Sequence, residues 1–244
     1  MRIWDIHPGY LNRQSLLGEH RELHGLVSIM VNGKKGYSRH PETLRWLGHG
    51  WAIRQRHRLL AAEMDLRGYT DKSPVLTRSQ QGVWPESYIN EPYRQFQILA
   101  DKYRDKEQGR IPLPTSAQQL WSQHKYSVLA RDVNLYKALG KEVSAMKPQQ
   151  DFSTLANRLT EQLRTAPSEG GLRNALQHMW GYVSEIPANS KGDMTSWSLN
   201  RLLREIQQRV LASNVPYLKS STALSELNAW MPMRRFRMRP RQLL

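Results

Sequence analysis

Ser15-Leu16-Leu17-Gly18-Glu19-His20-Arg21-Glu22-Leu23-His24-Gly25-Leu26-Val27-Ser28-Ile29-Met30-Val31, followed by Asn32-Gly33, is the stretch whose reading decides the fold. Leu16, Leu23, Leu26, Val27 and Met30 recur at three- and four-residue spacing, which is one face of a helix, and Asn32-Gly33 is a stop signal. Downstream, Pro41 suits a first helical turn, and Leu44, Leu47, Trp51, Leu60 and Met64 predict a second apolar stripe ending at Arg67-Gly68. Gly48 and Gly50 are expected to kink or split it. From Asp71 to about Pro92 the period disappears, as in a connecting segment, and a domain boundary is expected near residue 85. Helices are then predicted over 93–107, 117–129, 134–146, 152–163, 171–182, 198–211 and 221–230, with a loop from Pro187 to Gly192. Alternating strand patterns are scarce, so the expected class is all-α. The expected division is two helical domains, 1–85 and 86–233, and a basic tail over 234–244 that carries Arg234, Arg235, Arg237, Arg239 and Arg241.

The 244 residues contain no cysteine, which excludes disulfides, thiolate metal sites and a cysteine nucleophile. No apolar run approaches the roughly 20 residues of a membrane-spanning helix, and the start lacks the pattern of a secretory signal. The expected setting is the bacterial cytoplasm, in association with the nucleoid. Formal net charge is +15, divided as +6 up to Pro85 and +9 beyond it. A field of that sign attracts phosphate backbones, so nucleic acid is favoured as the partner over a membrane surface, for which no sustained basic amphipathic helix is present.

The sequence lacks a phosphate-binding glycine loop, a His-Glu-x-x-His pair and a Gly-x-Ser-x-Gly elbow. Six of the eight histidines precede residue 60, and His20 and His24 share a helix face. No carboxylate stands at obvious ligand spacing from them, so neither a metal nor any other cofactor is expected. Lys34, Lys35, Tyr37 and Arg39 form a basic loop with an aromatic, and Arg54, Arg56 and Arg58 a second basic run; both are read as phosphate contacts. Trp46 and Trp51 are read as core.

The segments Glu19-His20-Arg21-Glu22-Leu23-His24, Asn32-Gly33-Lys34-Lys35 and Glu63-Met64-Asp65-Leu66-Arg67-Gly68-Tyr69 resemble, in order and approximate spacing, the pyrimidine-dimer DNA glycosylases of the endonuclease V type. The likeness covers about residues 1–75. It implies a helical fold and a mechanism in which the chain's own terminal amine attacks the sugar carbon that bears the damaged base. An α-amine titrates near 7.7–8.0 and a lysine near about 10.4, so the α-amine is far more often the neutral nucleophile. Attack expels the base and leaves an imine to the opened sugar, from which β-elimination breaks the strand. The resemblance therefore implies a base-excision glycosylase and AP lyase for UV damage, with double-stranded DNA containing damaged bases as partner.

Carried over residue by residue, the family's catalytic glutamate falls on Glu22, and Met1 stands where the nucleophilic residue belongs. Arg21 and Arg2 match phosphate-clamping arginines, and Gln14 a glutamine that contacts the backbone. His24, Lys34, Lys35 and Arg39 complete the expected DNA-binding set. Two departures stand out. Position 2 is an arginine, too large for the usual removal of the initiator, so Met1, if retained and deformylated, is expected to supply the amine that the resemblance implies. Gly25 replaces a second family arginine.

Farther on, Leu120-Trp121-Ser122-Gln123-His124-Lys125-Tyr126, Leu129-Ala130-Arg131, Tyr136-Lys137-Ala138-Leu139-Gly140 and Asn174-Ala175-Leu176-Gln177-His178-Met179-Trp180-Gly181-Tyr182 look like the YbgA-type domain of unknown function. His124, Lys125, Arg131, Asn174 and His178 are candidates for a site there, but core packing by Trp121, Leu129, Leu139, Leu176 and Trp180 is favoured, with Gly181 as a helix cap. The competing reading of the whole chain is a non-catalytic binder of DNA or RNA, such as a tRNA adaptor, on the same scaffold.

Overall fold

The computed structural model describes residues 1–77, 80–186 and 194–231; the loop expected from Pro187 to Gly192 and the basic tail lie outside the described residues. The architecture is all-α, with no strand among the described residues. In chain order the helices are α1 (Arg13–Asn32), α2 (Pro41–Trp46), α3 (Gly50–Leu66), α4 (Pro92–Lys102), α5 (Ala117–Leu129), α6 (Val133–Ala145), α7 (Ser153–Leu163), α8 (Glu169–Trp180), α9 (Leu199–Ala212), α10 (Pro216–Lys219) and α11 (Ala223–Glu226).

Local chemistry explains most of the boundaries. The Asn12 side chain accepts the Ser15 N–H at 2.9 Å to start α1, and Gly33, at φ +61°, ends it. Pro41 stands in the first turn of α2, with the His40 ring accepting the Glu42 N–H. Gly48, at φ +83°, separates α2 from α3, so the expected split occurs. That turn also changes which residues face inward. Trp46 is buried, but Leu44 and Leu47 are about half exposed, contrary to the single stripe expected through them. The predicted helix over 221–230 is instead α11 followed by a 3-10 turn over Leu227–Trp230. α10, four residues long, is too short to show a period.

Packing does not divide at residue 85. One cluster of buried apolar side chains runs from Ile3 to Leu159 and takes in α1, α3, α4, α5, α6 and α7. A second contains Leu66 at the end of α3 together with α8, α9 and Met231. α9 shows the physical basis, since Leu199, Leu202, Leu203, Ile206 and Val210 lie on one stripe and are all buried. Buried polar contacts cross the same line. The Tyr10 hydroxyl donates to Gln123 Oε1 at 2.8 Å, and the Ser225 hydroxyl donates to Glu63 Oε2 at 2.6 Å. Arg164 reaches back to Asp5 at 2.8 Å.

Gly109 marks the closest crossing. A Cβ there would stand 2.5 Å from the carbonyl carbon and oxygen of Tyr10 and 2.6 Å from the Gly9 oxygen, all backbone atoms. The approach lets the Ile111 N–H donate to the Gly9 carbonyl at 2.9 Å. Backbone cannot rotate aside as a flexible side chain would, so Gly109→Ala is expected to destabilise the protein by about 1–3 kcal/mol. Chemical denaturation checks this, and an unchanged midpoint would contradict the crossing.

Candidate active site at the N-terminal amine

Residues 2–6 lie outside any helix, with a bend at Asp5 and Ile6, and their backbone groups are paired with side chains rather than with a strand. The Arg2 N–H donates to Glu22 Oε2, the Trp4 N–H to Glu19 Oε1 at 3.2 Å, and the Asp5 N–H to Gln95 Oε1 at 2.8 Å. Arg56 donates to the Ile6 carbonyl at 2.8 Å and Arg45 to the Ile3 carbonyl at 3.3 Å. Ile3, Trp4 and Ile6 are buried beneath this frame. The terminal residue is thereby held at one place on α1.

At that place the Met1 amine stands 3.9 Å from Glu22 Oε1. The Met1 side chain is only 7% exposed and packs on the core, whereas the residue as a whole is half-buried, so it is the Met1 main chain that meets solvent. Glu22, at 41% side-chain exposure, faces the same cleft. The cleft has a volume of about 440 Å3 and is walled by Met1, Glu22, Gly25, Ser28, Lys34 and Tyr37, among others. Positions 22, 25 and 29 lie three and four apart on α1, so Ile29, which the sequence reading did not single out, was available from helical spacing. A Cβ at Gly25 would meet nothing within 4 Å, so this position is open space on the cleft wall.

The other expected DNA-binding residues are distributed around this point. Lys34 lines the cleft; Lys35 and Arg39 are exposed on the adjoining 3-10 turn region, where Tyr37 is 64% exposed. Arg21 and Gln14 are both exposed on α1, seven residues and so about two turns apart on one face. Arg2 contributes its backbone N–H to Glu22, while its guanidinium stacks on the Trp4 ring at 4.1 Å and is partly withdrawn from water, which lowers its pKa.

The second basic run does not face solvent as a phosphate stripe. Arg56 is buried and holds Glu19 through contacts of 2.7 and 2.9 Å. Arg54 donates to the Thr77 carbonyl and Arg58 to the Met231 carbonyl, each at 3.3 Å. Positions 54, 56 and 58 of α3 are therefore occupied by internal contacts. Trp46 is buried and Trp51 half-buried against the core, as read.

His24 does not join the cleft. It meets His20, His57 and Asp71, with one donor atom from each of the four residues lying within 4.8 Å of the others. The carboxylate missing from local spacing is supplied from 47 residues beyond His24 in sequence. The ground for expecting no metal site therefore does not hold.

The five candidates of the second half do not converge. His124 is buried, burial pushes its pKa down to about 4, and its Nδ1 lies 2.9 Å from the Leu120 carbonyl. Arg131 pairs with buried Glu226, and Lys125 lies over the rings of Tyr126 and Tyr217. Asn174 is half-buried and His178 exposed. Leu129, Leu139 and Leu176 are buried, and Gly181 is the C-cap of α8.

Comparison with known proteins gave two family matches. Residues 1–77 match the model of a family described as pyrimidine dimer DNA glycosylase, and residues 125–226 match that of a family described as protein of unknown function (DUF1722). Neither a curated protein nor a solved structure gave a match.

Proposed function

We propose that the protein is a DNA glycosylase and AP lyase for pyrimidine dimers or related base lesions, working through the Met1 amine. The observation that carries the reading is the pairing of that amine with Glu22 at 3.9 Å, in a cleft open to solvent. The separation is that of an ion pair, and closure by about 1 Å on substrate binding brings it within hydrogen-bond reach. The neutral amine attacks C1′ of the deoxyribose; an N–C1′ bond forms and the base leaves with the electrons of the glycosidic bond. Loss of the amine proton as the sugar ring opens gives a protonated imine. Removal of a proton from C2′ then expels the 3′ phosphate. Glu22 stands where a carboxylate can stabilise the cationic sugar and carry these protons. Lys34 and the exposed Arg21, Lys35 and Arg39 are assigned to phosphates, and Tyr37 to a base displaced from the stack.

The residues beyond 85 are proposed to act with the first part as one body on DNA, because the two share a core.

Borohydride trapping tests the reading. Incubated with an oligonucleotide bearing a dimer or an abasic site, the protein is expected to become covalently attached through the Met1 peptide, as mass spectrometry of the digest will show. A version extended by a few residues ahead of Met1 is expected to lose the adduct. Absence of any adduct in protein whose mass confirms a free Met1 amine would rule out the lyase mechanism. Salt-sensitive binding without preference for irradiated DNA would then favour the non-catalytic binder.

A further inference from the structure

Apart from the amine cleft, the densest grouping of ligating side chains joins three parts of the chain. His20 and His24 stand one turn apart on α1, His57 comes from α3, and Asp71 from the segment that follows α3. His24 Nε2 lies 3.3 Å from His20 Nε2, His20 Nε2 lies 3.2 Å from Asp71 Oδ1, and His57 Nε2 lies 3.4 Å from Asp71 Oδ2. Ligand atoms held 2.0–2.1 Å from a tetrahedral zinc stand about 3.3 Å from one another. Three separations in the group match such an edge, two of them to different oxygens of Asp71, and one ligand atom from each of the four residues lies within 4.8 Å of the others.

A second observation concerns a single atom. The His57 side chain is only 7% exposed, and its Nε2 is buried without a hydrogen-bond partner, since Asp71, though near, is not in bonding geometry. Such an atom is unfavourable if nothing satisfies it. His24 and His20 can pair with each other and His20 also faces Asp71, but His57 Nε2 is left over, and a neutral imidazole offers only one N–H and one lone pair. One cation at their centre uses all four lone pairs.

We propose that His20, His24, His57 and Asp71 form a binding site for a divalent transition metal, zinc by donor set and geometry, that fastens α1 to α3 and to the segment after it. Three imidazoles and one carboxylate are borderline donors that suit zinc, and the donor set is closed, as in structural sites. The site brackets Glu22 on α1, so its occupancy would also steady the helix that carries that carboxylate. The proposal stands independently of the glycosylase reading.

The test uses the untagged full chain, purified without chelators, and elemental analysis. One zinc per chain is expected, together with a lower Tm after removal by a chelator and recovery when zinc is restored. Cobalt loaded in its place should give the intense visible bands of a four-coordinate ion; the weak spectrum of a six-coordinate ion would overturn the proposal. His24→Gln and Asp71→Asn should each weaken zinc binding by more than the roughly 10–100-fold seen when an outer hydrogen-bond partner of a metal ligand is removed. Should either variant fail to fold, the cobalt spectrum of the unaltered protein still decides. A protein that takes up neither zinc nor cobalt, or variants that bind zinc as tightly as the parent, would overturn it.

Discussion

Glu22→Gln is expected to lower cleavage of irradiated or abasic DNA by about 10²–10⁴-fold, the range that a positioned acid–base group supplies. The substitution is nearly isosteric, and the amide oxygen can still accept the Arg2 N–H that the carboxylate accepts now. The terminal segment therefore keeps its place, held also by the Trp4, Asp5 and Ile6 contacts. What disappears is the negative charge beside the developing cation and the site that carries the proton. Because Glu22 is substantially exposed and the change preserves its hydrogen bond, the Tm should move little. Single-turnover cleavage of a dimer-containing duplex, with denaturation as control, checks both statements. Full activity in a folded Glu22→Gln protein would remove Glu22 from the mechanism while leaving the amine to be judged by trapping.

Glu63→Gln is expected to be the most damaging of the carboxylate substitutions to the fold, at about 3–5 kcal/mol, because it removes the charge opposite two arginines in a dry interior. Glu63 is fully buried at the end of α3. Arg67 reaches Oε1 at 2.7 Å, Arg110 grips both oxygens at 2.9 and 2.7 Å, and the Ser225 hydroxyl donates to Oε2 at 2.6 Å. Burial alone would raise the carboxyl, but the two guanidiniums, Arg110 first, outweigh it and hold it well below the usual carboxylate range. Its stabilising contribution is thus complete above the unfolded value of about 4.3 and lost as pH falls toward the folded one. Stability measured by denaturant should decline on acidification below that value, and Glu63→Gln should flatten the decline. An equally steep acid limb in the variant would show that other carboxylates carry it.

Glu19 makes the comparison instructive. It is buried too, but it meets one guanidinium, that of Arg56, and burial wins, so its carboxyl is raised. A raised value means that its contribution is greater at low pH and diminishes as pH rises through the folded value. Glu19 therefore opposes the acid limb instead of producing it.

Much of the helical organisation could be read locally. Gly33 ends α1, Pro41 opens α2, Gly48 separates α2 from α3, and the apolar period of α9 marks its buried face, whereas the Asn12 cap, ahead of the Ser15 start expected for α1, came from the structure. Each of these depends on residues within a few positions, where spacing and capping act directly. The same holds for the cleft: residues 22 and 25 are neighbours by helical geometry, and the resemblance carried by Glu19 to His24 pointed to the carboxylate.

What the sequence by itself determined was an all-α chain with a helix carrying Glu22 and a match to pyrimidine dimer glycosylases over its first third. Only the tertiary structure decided which charges face water. It turned Arg56 inward onto Glu19, brought Arg110 to Glu63 across 47 residues, and carried Asp71 to His20, His24 and His57. It also ran one core past residue 85, where composition suggested a break. The physical reason is the same in each case. A charge or imidazole looks identical in sequence whether solvated or buried, and its fate depends on a partner brought near by the packing of apolar faces, which local spacing does not encode.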